Sequence, residues 1–138
     1  MSSPDRSAVD IARSVYRAAA ISNALVTVPA FVAYRRYVGS FLPKPPRYPF
    51  LVWIWSGMAA LWGVTFLEIS RDPVRSYPLI KYSYLEKMVT SASVIVAYRR
   101  GNVPKRVLAA TVVTDIAWIP VFVAVHAALS RSLERAPA

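Results

Sequence analysis

Three charged residues of this chain stand where charge is costly. Glu86 and Lys87 lie inside the apolar run 79–98, and Asp115 lies inside the run 107–129. Charge within a membrane span is expensive, so each such residue marks a function or a fixed structural contact. Glu86 and Asp115 have the chemistry of a general acid and base, and Lys87 can stabilise negative charge that develops beside them. Asn23, in the run 18–34, both donates and accepts hydrogen bonds. Counting back from Tyr34 and Tyr98 at 1.5 Å per residue puts Asn23 and Lys87 each roughly 16 Å from one membrane face. Asp115, eight residues into a helix that starts at that face, lies roughly 12 Å deep. The spacing predicts a shared layer near mid-membrane, with Lys87 paired to Asp115 directly or through Asn23. Two readings of that layer stand side by side. One is a small ligand pocket of Asn23, Lys87, Asp115 and Trp62, or an acid–base pair for proton transfer. The other is an ion pair that fixes how the helices register.

The elements that must hold these residues are apolar runs separated by basic clusters. The string VAYRR occurs twice, at 32–36 and 96–100, each time closing an apolar run and followed by Pro-Lys at 43–44 and 104–105. Tyrosine suits the membrane interface and paired arginines stop a span. The repeat therefore predicts that the first and third helices run the same way and end on one face, in a pattern of two tandem helical hairpins. The spans expected are 18–34, 49–69, 79–98 and 107–129, each near the ~20 residues that a ~30 Å hydrocarbon core requires. The second carries no charge from Pro49 to Leu67, which excludes the polar stripe that a soluble bundle would need. The expected architecture is all-α: a surface helix over 1–17, a four-helix membrane domain over 18–130 and a polar tail over 131–138. Ser3 is the expected cap of the first helix, with Pro4 at its first position. No cleavage site follows the first run, so it reads as a span and not as a signal peptide.

Composition agrees. Hydrophobic residues make up 56% of the 138, mean hydropathy is +0.38, and the formal net charge is +10 with pI ≈ 10.4. Apolarity and charge this high coexist because they are segregated along the chain. Segregation argues against a nucleic-acid binder, which interleaves Lys/Arg with polar residues along one face. There is no cysteine and one histidine, His126, which excludes disulfides and thiolate chemistry and leaves no ordinary zinc or bis-histidine haem site. No cofactor is expected. The loops after the first and third spans hold eight Lys/Arg and no acid, and the termini and middle loop, counted with Lys81 at the start of the third span, also hold eight. The acid-free clusters packed against the spans favour those loops as cytoplasmic, with both termini outside.

Smaller signals refine the picture. Pro29 and Pro120 each free a carbonyl one turn earlier and are expected to bend their helices; for Pro120 that carbonyl is Ile116, next to Asp115. Ala59-x-x-x-Gly63 and Ser93-x-x-x-Ala97 are small-residue pairs that permit close helix contact. Trp53, Trp55 and Trp62 read as interface anchors and packing, and His126 as interfacial. In the middle loop, Glu68, Arg71, Asp72 and Arg75 are expected to neutralise one another, with Pro78 opening the third helix.

Asn23, Gly63, Asp72-Pro73, Arg75, Leu85-Glu86-Lys87 and Asp115, in that order, resemble small four-helix bacterial membrane proteins of the DoxX-like group. The resemblance spans most of the chain and implies a four-helix architecture in a bacterial inner membrane. It says little about chemistry, because those proteins mostly lack an assigned activity. Glu86 stands where that pattern leads one to expect glycine.

Two function classes follow. One is an accessory or binding protein for a membrane partner, a second copy of itself, a lipid or another apolar ligand. The alternative is a small membrane enzyme with isomerase-like acid–base chemistry on a hydrophobic substrate, with Glu86, Asp115 and Lys87 as catalytic candidates. In either case Arg35, Arg36, Arg99 and Arg100 form a membrane surface that attracts anionic headgroups at about 1 kcal/mol per residue. Replacing all four by glutamine is expected to weaken binding to anionic vesicles or to invert the topology. Vesicle flotation and accessibility labelling check both; no change in either would remove the role given to the repeat.

Overall fold

The computed structural model describes residues 5–42 and 49–135. Among these the chain is helical, without a strand: α1 (Arg6–Val32), α2 (Tyr34–Phe41), α3 (Phe50–Arg71), α4 (Tyr77–Arg99), α5 (Lys105–Thr111), a π-helical turn (Val112–Ile116) and α6 (Trp118–Glu134). Three stretches are long and apolar enough to cross a membrane: Arg6–Val32, Phe50–Arg71 and Lys105–Glu134. With 23 residues, α4 is one residue longer than Phe50–Arg71, but it carries Lys81, Glu86 and Lys87 and does not share the composition of the three.

Polarity is inverted relative to a water-soluble bundle. Leu25, Val89 and Val113 are 71%, 67% and 70% exposed, while Lys87 and Asp115 are 5% and 8% exposed. The buried face of α4 is Ile80, Ser83, Lys87 and Ser91, at helical spacing, and its other faces carry Leu79, Tyr82, Leu85, Met88 and Val89 outward. In water such an arrangement would expose its apolar surface and bury its charges. In hydrocarbon it satisfies both.

The first helix shows no break at the expected 17/18 boundary. Ala12, Tyr16, Ala19, Asn23, Thr27 and Ala30 form one continuous buried stripe along α1. Ser3 and Pro4 lie outside the described residues. The cap in place is Asp5, whose Oδ1 accepts from the Ser7 backbone N–H at 2.9 Å and from its hydroxyl at 2.8 Å. Those hydrogen bonds hold the Asp5 carboxyl below its ordinary value of 3.8. The Asp5 amide donates to Ser132 Oγ at 2.7 Å, fastening the start of α1 to the end of α6. The segment expected as a polar tail begins as the last turn of α6, and 136–138 lie outside the described residues.

The two VAYRR copies fold differently, and only the second is followed by a residue that ends its helix. After Arg100 comes Gly101, whose φ of +73° is the left-handed conformation that ends a helix. Its amide donates to Tyr98 O and that of Asn102 to Ala97 O, closing α4. After Arg36 comes Tyr37, which disfavours that conformation. The first copy instead breaks at Ala33 (φ −125°, ψ 42°), and Tyr34, Arg35 and Arg36 enter α2. Pro43 and Lys44 lie outside the described residues. All four arginines are exposed.

Aromatic packing joins three helices. Tyr16 stacks on Phe122 (centroids 5.0 Å, planes 7° apart), and Phe66 lies 5.9 Å from Tyr16 and 5.3 Å from Phe122. In the middle loop, Glu68 pairs with Arg71, while Asp72 Oδ1 accepts from the backbone N–H of Arg75 and shapes the turn. The expected four-charge network is thus one ion pair and one turn cap. Pro78 lies in the first turn of α4, as its sequence position indicates.

Of the two small-residue pairs, the structure uses one. Ser93 is exposed, its hydroxyl returned to Val89 O, so Ser93–Ala97 makes no close helix contact; Ser83 and Ser91 are the buried small residues there. Gly63, by contrast, is where α1 and α3 approach closely: a Cβ there would stand 3.3 Å from Asn23 Cβ and 3.8 Å from Ala20 O. Gly57, on the same helix, has open space around it. Gly63→Leu is therefore expected to destabilise the protein by about 1–3 kcal/mol, the usual cost of overpacking. Gly57→Leu should be near neutral. Denaturation in mixed micelles compares the two, and equal effects would contradict this packing.

Candidate functional site

Four helical segments contribute to one polar layer. Lys87, from α4, donates from Nζ to Asp115 Oδ1 at 2.8 Å and reaches Asn23 Oδ1 at 3.5 Å. Glu86 Oε2 lies 3.6 Å from the same ammonium. The Phe66 ring of α3 lies beneath it, 5.9 Å from Nζ to centroid, within the range of a cation–π contact. Asn23, from α1, turns its Nδ2 to Ala59 O of α3 at 2.9 Å, which ties the ammonium to a backbone carbonyl one helix away. That reach exists because Gly63, one turn on from Ala59, lets the two helices close on Asn23.

Asp115 is held by local chemistry. It lies in the π-helical turn, where the Ala117 amide bonds to Val112 O at 2.9 Å, five residues back. Pro120 cannot donate to Ile116 O and its ring crowds that carbonyl. The widened turn sits immediately before this strain. Thr114, next in the same turn, donates to Asp115 Oδ2 at 2.7 Å. Asp115 thus accepts Lys87 on one oxygen and Thr114 on the other. Glu86 accepts Thr90 on Oε1 at 3.2 Å, and its buried Oε2 accepts no hydrogen bond.

Between these groups is a void of about 30 Å³, walled by Asn23, Glu86, Lys87, Thr90, Thr114 and Asp115 together with Val26, Trp55 and Ala59. Beside it lies a larger cavity of about 480 Å³. Its walls are mainly apolar, including Leu25, Val38, Phe41, Val94 and Val107, and it shares Val26, Trp55, Thr90, Thr114 and Asp115 with the small void. Tyr37 and Phe41 of α2 and Val103 near the start of α5 also line it, so it extends to the face where both VAYRR copies lie. Among the described residues no group of His, Cys, Asp and Glu has the makings of a metal site.

The structure thus brings together Asn23, Glu86, Lys87 and Asp115. Trp62 does not line the void: it packs on Phe66 at 5.9 Å and lines a groove between α3 and α4 that reaches Glu86 from the other side, with Leu79, Tyr82, Leu85 and Val89. The tryptophan at the polar layer is Trp55, which reads in sequence as an interface anchor; nothing in its local pattern separates it from Trp53. Thr90 and Thr114 are the other residues missed. Each is one position or one turn from a carboxylate, which is the signal that points to them. His126 packs against Tyr77 and hydrogen-bonds Tyr84, with Nδ1 3.2 Å from the phenol oxygen, away from the site. No family model, curated protein or solved structure matches the chain.

Buried in apolar surroundings, the Lys87–Asp115 pair must be broken on both sides or neither. Asp115→Asn removes one charge and leaves the ammonium short of its partner, a loss of about 3 kcal/mol by the behaviour of buried pairs. Lys87→Met with Asp115→Leu removes both charges and, with Glu86→Gln as the common background so that no carboxylate is stranded, is expected to recover most of that loss. Unfolding in mixed micelles measures it; in that background, Lys87→Met with Asp115→Leu no better than Asp115→Asn would show that the pair does not act as a unit.

Proposed function

We propose that this is a small polytopic integral membrane protein that binds an apolar molecule in the cavity beside Asp115. In this reading α4 is a fourth span, with Glu86 and Lys87 turned into the bundle and Lys81, one turn from its start, exposed. The basic ends at Arg35, Arg36, Arg99 and Arg100 lie at the cytoplasmic face of a bacterial inner membrane, against anionic headgroups. The DoxX-like resemblance belongs to this proposal and rests on its motif residues alone.

One observation carries it: an apolar cavity of about 480 Å³ whose lining includes a charged, hydrogen-bonded carboxylate. That volume lies in the range of small-molecule sites, which are apolar chambers with a few polar groups that set orientation. An ion pair that served only to register helices would need no chamber beside it. The cavity is bounded by five helices and reaches the membrane face, so an occupant can enter without crossing the polar layer.

Extraction of the protein purified in mild detergent, followed by mass spectrometry, tests the reading. The expected result is one apolar compound near stoichiometric amount, lost from Ala110→Phe, whose ring fills the cavity. The same mixture of bulk phospholipids from both proteins would sink it.

A further inference from the structure

The balance of charge and hydrogen bonds around the small void says what kind of head the occupant carries. Two carboxyl groups, Glu86 and Asp115, share one ammonium, that of Lys87. Among the donors of the layer, Lys87 serves Asp115 and Asn23, Asn23 serves Ala59 O, Thr114 serves Asp115, and Thr90 serves Glu86. Glu86 Oε2 is buried, lies 3.6 Å from the Lys87 ammonium and accepts no hydrogen bond. Two carboxyl groups that share one ammonium, in a medium that solvates charge poorly, are stabilised by a further cation that also donates.

Size narrows the class. The void of about 30 Å³ has room for a group the size of a water. A primary ammonium fits it. The neighbouring cavity is apolar and shares five wall residues with the void, so a chain attached to that ammonium has somewhere to lie.

Resting on the reading that the cavity takes an apolar molecule, we infer that the occupant is a long-chain primary amine, its ammonium in the void against Glu86 and its hydrocarbon in the cavity. The same site discriminates against a fatty acid, whose carboxylate would face Glu86 and Asp115. It favours an amine over an alcohol of equal length, because the alcohol donates one hydrogen bond and brings no charge.

Three probes of one chain length test this: bromoundecylamine, bromoundecanol and bromoundecanoate, titrated into the full chain in neutral detergent. Bromine in the cavity quenches Trp55, and the signal of interest is the saturable quenching that disappears in Trp55→Phe. The amine is expected to bind at least about tenfold more tightly than the alcohol, equivalent to about 1.4 kcal/mol. The carboxylate should show no saturable quenching. Glu86→Gln should bring the amine to the affinity of the alcohol. Equal affinities for amine and alcohol in the unaltered protein, tighter binding of the carboxylate, or an undiminished amine preference in Glu86→Gln would each overturn the inference while leaving the cavity reading in place. If none of the three quenches saturably, and Ala110→Phe behaves like the unaltered protein, the cavity reading fails with it.

Discussion

A charge at mid-membrane depth must find its opposite within the protein, and the arrangement of these helices follows from that requirement. Among the described residues Lys87 is the only buried basic side chain, and Asp115 meets it at 2.8 Å. For them to meet, α4 must lie against the π-helical turn before α6. For Asn23 to join, α1 must lie close to α3, which Gly63 permits. For Asp115 to be held, Thr114 must occupy its second oxygen, and the turn before Pro120 must accommodate both. Each of these local features would be a small liability alone. Glycine weakens a helix, a π turn spends an extra residue, and threonine is a modest helix former.

The interior divides into layers with different jobs. Tyr16, Phe66 and Phe122 form an aromatic block that needs no partner beyond its own packing, and Phe66 also presents its face to the Lys87 ammonium. Next comes the charged layer, and beyond it the apolar cavity towards the VAYRR face. The charged layer is thus sealed by rings on one side and opens into a cavity on the other. An electrostatic contact is strongest where water is excluded, so the aromatic side is where the pair is best insulated, and the cavity side is where it is available.

Much of this was legible in sequence, because the governing distances are set by helix rise. Asn23, Lys87 and Asp115 fall at similar depth by counting alone. The inversion of polarity was legible too, from the charge-free stretch ending at Leu67. Other features depend on what a residue packs against and left no one-dimensional trace. The two VAYRR strings look equivalent, yet the first breaks at Ala33 and the second runs on to Gly101. Trp55 and Trp62 are seven residues apart and differ only in which helices flank them. Ser93 and Ser91 are both small, and rotation of α4 alone decides which is buried. The character of α4 was the least legible: it breaks the composition rule of the other long helices because Glu86 and Lys87 are turned into the bundle.

The closeness of Glu86 to Lys87 has a consequence for how the chain is made. Helices enter a membrane in order of synthesis, and Asp115 follows Lys87 by 28 residues. While α4 is the newest helix in the bilayer, its ammonium has no Asp115 to meet. Glu86 is already there, one residue away and 3.6 Å distant in the finished protein. A lone lysine would favour sliding the helix toward water until its partner arrived. On the proposal that α4 is a span, a lysine beside a glutamate is a nearly neutral dipole, which lets α4 hold its depth before the last helix is made. In the finished protein Lys87 stands between the two carboxylates, 2.8 Å from Asp115 and 3.6 Å from Glu86.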